Sequence, residues 1–450
     1  MLQNSSCMGC TIIVLRERRH YKPIGLAFLL LVVLAVVLPP LLLLPSYSPE
    51  MTTLTLPEPD VNGSMPLSTA MRSPGYSSIL SDHQMIMDEV SQLLWAVQGI
   101  THGSVFRAVP SAGATYPLEI YFVQMDESEL KEGYYHYVPQ GHQLEWVNTT
   151  VDRGTVAAAF TGDDRRAVVN VSTVFFILAD YSRTTARYGD RGVQYVHLET
   201  GHAVQNFLLQ LSSLGLKTRP IAHLVTVYIQ NLLNTSFVPL VALPVGFGNI
   251  QPSGSRFSAH SRRMDRDEAT VEQAIVKRKS TRDYVNGTVP IAVVADILND
   301  SRMIEYLDAE SSILDVRLVV GQVGELGPGV YNYALQNASF TEVSPLDLRT
   351  DLMTAGLNQR WIETAQLDIV VSVDMSLIGS GPDSASAHRL AMYYVGMLAQ
   401  NICLKCAACG LGTVTVGAFY EDQVATVVDL PSDFKPIYIM PIGLTPEFVD

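Results

Sequence analysis

The sequence contains few cysteines and few basic residues, and both scarcities narrow its class. Five cysteines in 450 residues imply no disulfide framework. Lysine and arginine number 30 against 44 aspartate and glutamate residues, which gives a net charge of −14. Phosphate-backbone binding needs a basic face, and no Lys/Arg-rich run with interleaved aromatic residues occurs, so we do not expect nucleic acid as a partner. Hydrophobic residues make up 48% of the chain, which supports packed cores.

Metal ligands at the usual spacings are missing as well. Cys403, Cys406 and Cys409 follow one another in steps of three along an apolar helix, but no fourth ligand accompanies them. Steps of this kind drift around a helix, so a core position is favoured over an iron–sulfur cluster. Cys7 and Cys10 could bind a metal or a lipid, but a bystander pair is favoured. We therefore predict no metal site.

Residues 24–44 form an uncharged apolar run that is long enough to cross a bilayer as a helix. Basic residues precede the run, and no lysine or arginine follows it until Arg72. This asymmetry predicts a cytoplasmic tail at residues 1–23 and an extracytoplasmic body. A cleaved signal peptide is the alternative, but the run is long and no cleavage-site pattern follows it. We therefore predict a single-pass protein of the cell membrane with an uncleaved N-terminal anchor.

A Pro-, Thr- and Ser-rich linker is predicted at residues 45–68, and the sequence beyond it repeats. Five landmarks recur at an offset close to 195 residues. The pairs are Gly133 with Gly329, the strand Ala167–Ala179 with Leu367–Val373, Gln205-Asn206 with Gln400-Asn401, Gly215 with Gly410, and Pro244 with Pro441. A constant offset predicts a tandem duplication. We expect two repeats, at residues 69–250 and 269–450, which are joined by a polar linker at 251–268 and pack as a pseudo-dimer within one chain.

The segment Pro110–Glu119 combines small residues with two prolines. Ser111 to Ala114 lie between Pro110 and Pro117 and lead into a strand-like run. Residues with almost no side chain allow a flat ligand to lie close to the backbone amides. An ordinary surface turn before an edge strand is the alternative, and the pattern alone slightly favours it.

The second repeat opens with a basic turn, Lys277–Tyr284. Its basic groups and hydroxyls stand at the end of a short helix and can hold a phosphate through forked, charge-assisted hydrogen bonds. A solvated basic turn is an equally good interpretation. The segment Gly410–Thr413 offers exposed amides that suit an anion or a flat ring.

The two repeats differ at these positions. Met71–Tyr76 of the first repeat retains an arginine and a serine but has Gly75 where the later arginine would stand. In the second repeat Ile313–Val323 runs as an ordinary strand where the first repeat has its small-residue loop. The loop is therefore present in one copy only.

The motifs resemble those of the FMN-dependent nitroreductase superfamily. Arg278–Tyr284 is similar to the opening phosphate-binding motif of that superfamily, and four segments of the first repeat are similar to its SagB/ThcOx-type branch. These segments are Leu93–Thr101, Pro110–Glu119, Tyr188–Arg191 and Leu198–Asn206. The resemblance covers roughly residues 65–445. It implies an α+β fold with a mixed sheet flanked by helices, normally an intertwined homodimer with FMN at the interface.

The resemblance also assigns the cofactor-binding residues, with each repeat contributing one part of the site. The expected phosphate ligands are Arg278, Ser280 and Arg282, the loop at the flavin ring is Pro110, Ser111, Ala112 and Gly113, and the glycine-containing segment is Gly410, Leu411, Gly412 and Thr413. One composite site, and about one FMN per chain, is expected.

The position of the Lys-Tyr pair of azoline oxidases is occupied here by Arg187 and Tyr188, which we predict to be the catalytic pair. Arginine stays protonated at neutral pH, so Arg187 is unsuited to be a general base, whereas Tyr188 could donate or orient a proton. Pairing of Arg187 with a nearby acid is the alternative. The predicted function is a membrane-anchored FMN-dependent oxidoreductase that acts on a small molecule or a peptide, with an electron donor or acceptor that the sequence does not identify. A degenerate pseudo-enzyme that acts as an extracytoplasmic binding or scaffold module is the alternative.

Overall fold

The protein is described by a computed structural model, which defines residues 51–148, 150–248, 268–302, 313–379, 381 and 383–446. Glu50–Asp450 form one compact unit. The strands of the first repeat are β1 (Met51–Thr55), β2 (Leu80–Ser81), β3 (Ile100–His102), β4 (Phe106–Arg107), β5 (Leu118–Gln124), β6 (Gly133–Val138), β7 (Gln143–Asn148), β8 (Thr173–Ala179), β9 (Lys217–Thr218) and β10 (Val238–Gly248). Its helices are α1 (Leu67–Arg72), α2 (Met87–Gln98), α3 (Arg153–Ala157), α4 (Gly162–Val169), α5 (Tyr181–Tyr188), α6 (Arg191–Leu214) and α7 (Thr226–Leu232).

The second repeat follows the same order. Its strands are β11 (Val289–Pro290), β12 (Leu314–Val320), β13 (Val323–Gly324), β14 (Gly329–Ala334), β15 (Ser339–Ser344), β16 (Leu367–Asp374), β17 (Leu411–Thr413) and β18 (Phe434–Leu444). Its helices are α8 (Val271–Lys277), α9 (Ile291–Ser301), α10 (Arg349–Ala355), α11 (Arg360–Thr364), α12 (Ser384–Ala408) and α13 (Glu421–Val427).

Sheet topology confirms the tandem duplication. The sheet of the first repeat has the order β1-β7-β6-β5-β8-β10-β2, with β9 also paired to β10, and that of the second has the order β15-β14-β12-β16-β18-β17. Each of these six strands of the second sheet therefore has a counterpart at the same place in the first sheet. The ladders of both sheets are antiparallel, and the isolated bridges Tyr76–Thr218 and Ser280–Thr413 run parallel.

The buried strands β5, β8 and β16 consist largely of β-branched and aromatic residues. Both faces of β5 and β8 are covered, since alternate residues pack with α2 and α6 in one hydrophobic cluster and with α3, α4 and α7 in another, and residues of β16 are likewise divided between two clusters. Such residues pack well on a pleated surface, which explains why these continuous apolar runs form strands in the middle of each sheet. The long helices α6 and α12 are followed by Gly215 and Gly410, whose φ angles are +72° and +75°. Left-handed glycines of this kind end helices.

The two repeats pack through α6 and α12, which cross at Gly201 and Gly396. A Cβ atom added to Gly201 would lie 2.2 Å from the carbonyl oxygen of Tyr393 and 2.9 Å from the Cα atom of Gly396. Only glycine permits this approach of two backbones.

Polar side chains on both sides of this crossing form reciprocal hydrogen bonds. Gln205 donates to Asn401 and Gln400 donates to Asn206, each at 2.8 Å. These residues were among the sequence landmarks of the duplication, and their symmetry follows from it.

Two predictions about the N-terminal part require correction. The fold predicted from the sequence included a transmembrane helix, but no helix within the described residues is both long and apolar enough to cross a membrane. The predicted anchor at 24–44 and the tail at 1–23 lie outside the described residues, as do most of the linker 251–268 and Cys7 with Cys10. The extracytoplasmic location of the body stays a prediction.

The predicted linker 45–68 is partly folded. Met51–Thr55 pairs with β7 as an edge strand, Leu56 is buried in the core, and α1 begins at Leu67. Threonine-rich sequence was interpreted as linker composition, but β-branched threonines also favour strands.

Candidate functional site

The loop Pro110–Gly113 is held in a compact turn by its own polar groups. The Ser111 hydroxyl oxygen accepts the backbone N–H of Tyr116 at 2.9 Å. A 3₁₀ turn over Ala112–Ala114 contains Gly113, whose φ angle is +60°. This left-handed conformation favours glycine. The loop therefore exposes backbone and small side chains in a fixed arrangement.

Helix α5 places the predicted catalytic pair against this loop. The Asp180 side chain accepts the Ser182 N–H at 3.0 Å and Gly189 follows the last turn, so Arg187 and Tyr188 stand at the C-terminal end of the helix. Arg187 donates to the Gly113 carbonyl oxygen at 3.1 Å. A Cβ atom on Gly113 would lie 2.3 Å from the Tyr188 hydroxyl oxygen. The structure thus brings together residues that are 74 positions apart.

Further hydrogen bonds fix α5 to the loop. Arg183 donates to the Tyr116 carbonyl oxygen at 3.0 Å, and the hydroxyls of Thr115 and Thr184 are 2.8 Å apart. Among the described residues no acid lies within ion-pair distance of Arg187, whose bond is to the loop carbonyl. The alternative interpretation of Arg187 as a member of a surface ion pair therefore gains no support from this geometry.

A buried polar cluster lies beneath the loop. Arg107 donates to the Gln98 side-chain oxygen at 2.7 Å and its guanidinium lies over the ring of Tyr116, 4.4 Å from the centroid. Burial lowers the pKa of Arg107, while the nearby carboxyls of Glu199 and Glu119 raise it. Burial also raises the pKa of Tyr116. The positive charge of Arg107 is thus retained in an interior position beside the loop.

Glu199 on α6 is the buried acid of this cluster. Its side chain is 3% exposed, and burial raises its pKa to about 8, although the Ser111 hydroxyl, the Arg107 guanidinium and the Gln98 amide lower it in part. Its Oε1 atom has no hydrogen-bond partner among the described residues, and neither has Nε2 of Gln98. Burial therefore favours the protonated form of Glu199, because a buried carboxylate is disfavoured.

Arg278 of the second repeat reaches across to the first. Its Nε atom donates to the carbonyl oxygen of Ala108 and a terminal nitrogen donates to that of Arg107, each at 3.0 Å. The His102 ring in turn donates to the Arg278 carbonyl oxygen at 3.2 Å. Burial lowers the pKa of Arg278. No acid among the described residues forms an ion pair with Arg278. The two hydrogen bonds to the carbonyl oxygens use two of its five N–H groups, which leaves three for other acceptors.

Ser280 and Arg282 are exposed and follow Arg278 along one edge of the second sheet. Ser280 pairs with Thr413 through the backbone, and the N–H of Thr281 donates to the Thr413 carbonyl oxygen at 2.9 Å. Arg282 lies over the ring of Trp361, 5.4 Å from the centroid. The structure thus places the predicted phosphate turn beside the predicted glycine-containing segment Gly410–Thr413.

Gly412 and Thr413 are both buried at this edge. A Cβ atom on Gly412 would lie 2.6 Å from a side-chain carbon of Thr281, so the two segments touch. The Thr413 hydroxyl has no partner among the described residues, and the same is true of Thr218 at the equivalent place of the first repeat. The unpaired hydroxyl is thus common to both repeats, whereas the arginines of the adjoining turn are not.

The parallel bridges correct the sequence-based match between the two turns. Tyr76 pairs with Thr218 as Ser280 pairs with Thr413. Arg278 therefore corresponds to Pro74, and Arg282 corresponds to Ser78. The sequence-based match had placed Gly75 opposite the later arginine. The first repeat lacks both arginines of the motif.

The region of the second repeat that corresponds to the loop Pro110–Gly113 also differs from the sequence-based match. Ile313–Val323 was expected to run as a strand in place of the loop, and Leu314–Val320 is strand β12, but this strand is the counterpart of β5 and not of the loop. The counterpart of the loop precedes β12, where residues 303–312 lie outside the described residues. No helix corresponding to α5 occurs between β16 and α12 in the described residues there.

Sequence reasoning assigned no role to Gln98, Arg107, Glu199 or His102. Gln98 and Glu199 occurred within the resembling segments, and an acid inside an apolar helix was a usable signal for Glu199. His102 and Arg107 gave no such signal, because their roles come from tertiary contacts, of His102 with the Arg278 carbonyl oxygen and of Arg107 with Gln98 and Tyr116.

No group of His, Cys, Asp and Glu suited to a metal was found among the described residues. Cys403 and Cys406 are buried in the core and Cys409 packs against it. Burial raises the pKa of all three thiols. These cysteines therefore behave as core residues.

Comparison with known proteins gives two matches to one family. The nitroreductase family model matches residues 80–247 and again residues 275–444. The nitroreductase-family protein MJ1384 of Methanocaldococcus jannaschii is 39% identical over 163 residues, which cover 36% of this chain and 81% of that protein. The microcin B17-processing protein McbC of Escherichia coli is 29% identical over 150 residues, which cover 32% of this chain and 54% of McbC. The match thus spans about half the length of McbC.

Among solved structures, a nitroreductase-family protein from Anabaena variabilis aligns with a TM-score of 0.69 at 20% identity. The alignment covers 87% of this chain and 93% of that chain. The shared fold therefore extends over both repeats. The similarity to McbC agrees with the SagB/ThcOx-type branch indicated by the motifs.

Proposed function

The chain belongs to the nitroreductase family, and we propose that it is an FMN-dependent oxidoreductase with one composite flavin site between its two repeats. Its family makes it an oxidoreductase. The FMN cofactor and the single composite site go beyond family membership, and the position of Arg278 is the observation that supports both. This buried cation of the second repeat bonds to the backbone immediately before the loop of the first repeat, so both halves of the expected site meet there.

The residues present fit the cofactor. Arg278 is a buried positive charge without an ion-pair partner among the described residues, and a phosphate would supply the missing negative charge. At the other end, the loop exposes the backbone of Gly113 and Ala114, against which a flat ring can lie. A buried cation at one end and an exposed small-residue loop at the other suit a phosphorylated flat ring.

The proposed roles divide between the repeats. Arg278, Ser280 and Arg282 hold the phosphate, and Pro110–Gly113 with Gly410–Thr413 adjoin the rest of the cofactor. FMN, when bound, supplies hydride or electron transfer to the site.

Arg187 orients the loop through the Gly113 carbonyl, and the half-buried Tyr188 hydroxyl holds or donates a proton at the loop surface. The substrate is a small molecule or a peptide, and a separate molecule donates or accepts the electrons.

Replacing Gly113 with valine tests the loop. The added side chain meets the Tyr188 hydroxyl and must adopt a φ angle of +60°, so we expect the Kd for FMN to rise at least about tenfold, as a loss of about 1.4 kcal/mol requires. Titration of protein fluorescence or of the flavin spectrum measures this. Gly162→Val is the matched control, because Gly162 has a φ angle of +56° with nothing within 4 Å of the added atom. Equal Kd values for the two variants would contradict the assignment of the loop. A wild-type chain that binds no FMN would favour a binding or scaffold module instead.

A further inference from the structure

His136 on β6 is bonded to a carboxyl group at each of its two ring nitrogens. Its Nε2 atom lies 2.7 Å from a Glu119 oxygen, and its Nδ1 atom lies 2.8 Å from a Glu145 oxygen. An ionised carboxylate only accepts hydrogen bonds, and a neutral imidazole has a single N–H. Both bonds therefore form together only when the ring is protonated, so the geometry indicates a positively charged His136 between two negative charges.

Glu119 connects His136 to the loop. The other oxygen of Glu119 accepts from Arg183 on α5, and Arg183 also donates to the Tyr116 carbonyl oxygen at 3.0 Å. The N–H of Tyr116 is in turn bonded to the Ser111 hydroxyl. A charge network thus runs from β7 to the backbone of the loop, and its members are Glu145, His136, Glu119 and Arg183.

Among the described residues, the second repeat has no counterpart of this charge network. The strand registers give the equivalent residues, which are Asp315 for Glu119, Asn332 for His136 and Thr341 for Glu145. Asp315 instead pairs with Arg317 of its own strand at 2.9 Å. The charge network therefore occurs in the repeat that contains the loop.

The groups around His136 are consistent with its charged form. Burial lowers the pKa of His136, but its bonds to Glu119 and Glu145 outweigh burial, so that the pKa is raised. Burial likewise raises the pKa of Glu119, but the bonds from His136 and Arg183 lower it overall. The Tyr121 ring stacks on His136 at 4.4 Å and stays neutral, since burial raises its pKa. Three further titratable groups lie around the charge network, which are Tyr134 on β6, Tyr228 on α7 and Asp180 at the start of α5.

We propose that Glu119 and His136 are positioning residues of the flavin site, in which the charged His136 fixes Glu119 so that Glu119 holds Arg183 against the Tyr116 carbonyl and orders the loop. This inference rests on the proposed function, since it takes the flavin ring to lie against Pro110–Gly113.

The order of the loop then depends on the proton of His136. When the proton leaves, one ring nitrogen presents a lone pair to a carboxylate, and the hold on Glu119 weakens. Because the pKa of His136 is raised, the order is complete at low pH and is lost as the pH rises through that pKa.

The test is hydrogen exchange of the loop amides in the full chain without FMN at pH 6, 7, 8 and 9. The N–H groups of Ala114, Thr115 and Tyr116 are bonded within the loop, so their protection reports its order. After correction for the intrinsic exchange rate, we expect protection to fall about three- to tenfold as His136 loses its proton, as the loss of one hydrogen bond implies. The Kd for FMN should rise by a similar factor from pH 7 to 9, a range above the phosphate pKa near 6.

Three variants distinguish this coupling from a merely structural role. Glu119→Gln removes the charge that holds Arg183, so protection at pH 6 should be about three- to tenfold lower and should no longer change with pH. Glu145→Gln offers an amide donor to Nδ1, so a neutral His136 keeps its hydrogen toward Glu119, and protection should stay at the wild-type pH 6 level up to pH 9. Asp315→Asn, which breaks the ion pair at the equivalent position of the second repeat, is the matched control and should retain the wild-type pH profile.

The outcomes separate this inference from the proposed function. Wild-type protection that is constant from pH 6 to 9, a Glu119→Gln variant with wild-type protection, or a Glu145→Gln variant with the full pH dependence overturns the role of the charge network, while FMN binding itself stands. An absence of FMN binding at every pH overturns the proposed function, and with it the place of the charge network in a flavin site.

Discussion

Replacing Arg278 with alanine is expected to abolish detectable FMN retention and to destabilise the fold. The buried guanidinium bonds to two carbonyl oxygens of the other repeat, each at 3.0 Å. Hydrogen bonds from a charged group contribute about 1.5–3 kcal/mol each, and the substitution leaves both acceptors buried without their donors. We expect the free energy of unfolding to fall by about 2–5 kcal/mol, measured by denaturant titration. The flavin loses its most buried counter-charge as well, which should raise the Kd at least about tenfold.

Arg282→Ala separates binding from stability in the same experiment. Arg282 is exposed and lies over Trp361, so its removal should leave the unfolding free energy within about 1 kcal/mol of the wild type while the Kd for FMN rises. Ser78→Ala is the matched control, because Ser78 occupies the equivalent position of the first repeat. If Arg278→Ala and Arg282→Ala both keep the wild-type Kd in a chain that binds FMN, the phosphate site has been placed wrongly.

Replacing Gly201 with leucine is expected to disrupt the packing of the two repeats. A leucine is intrinsically better than glycine in a helix by about 0.8–1 kcal/mol. At this position, however, the first added carbon would lie 2.2 Å from the Tyr393 carbonyl oxygen and 2.9 Å from the Gly396 Cα atom. Backbone atoms must move apart, and overpacking of this kind typically costs about 1–3 kcal/mol and occasionally more. We expect a loss of about 3 kcal/mol and a loss of FMN binding.

Thermal and denaturant unfolding of Gly201→Leu measures this expectation. Gly381→Leu is the control, since Gly381 has a φ angle in the ordinary range and nothing within 4 Å of an added carbon. A variant that is as stable as the wild type and still binds FMN would show that the close crossing of α6 and α12 is not required for the site.

The tandem fold and both halves of the candidate site could be predicted from the sequence because their signals are local. Glycines, prolines and the Gln-Asn pairs of α6 and α12 recur at a nearly constant offset, and the Pro110–Gly113 and Arg278–Arg282 motifs are contiguous. Longer-range alignment failed where the offset changed. The loop of the first repeat lengthens the chain before β5. As a result Tyr76, rather than Ser73, corresponds to Ser280.

The polar cluster beneath the loop could not be derived in the same way. Gln98, Arg107, Ser111 and Glu199 come from α2, β4, the loop and α6, and their relation depends on tertiary packing. The raised pKa of Glu199 is a consequence of burial, which a single sequence does not specify. The donation from Arg278 to the carbonyl oxygens of Arg107 and Ala108 likewise involves backbone atoms, which carry no sequence signal.

The most direct test of the composite site is the FMN stoichiometry of the purified full chain. The two repeats share one fold, but the first lacks the arginines of the phosphate turn, with Pro74 and Ser78 in their places. Titration with FMN, followed by flavin absorbance and an independent protein concentration, should saturate at about one FMN per chain. Saturation at two FMN molecules per chain would contradict the account, because the first repeat would then have to hold a phosphate without either arginine of the turn.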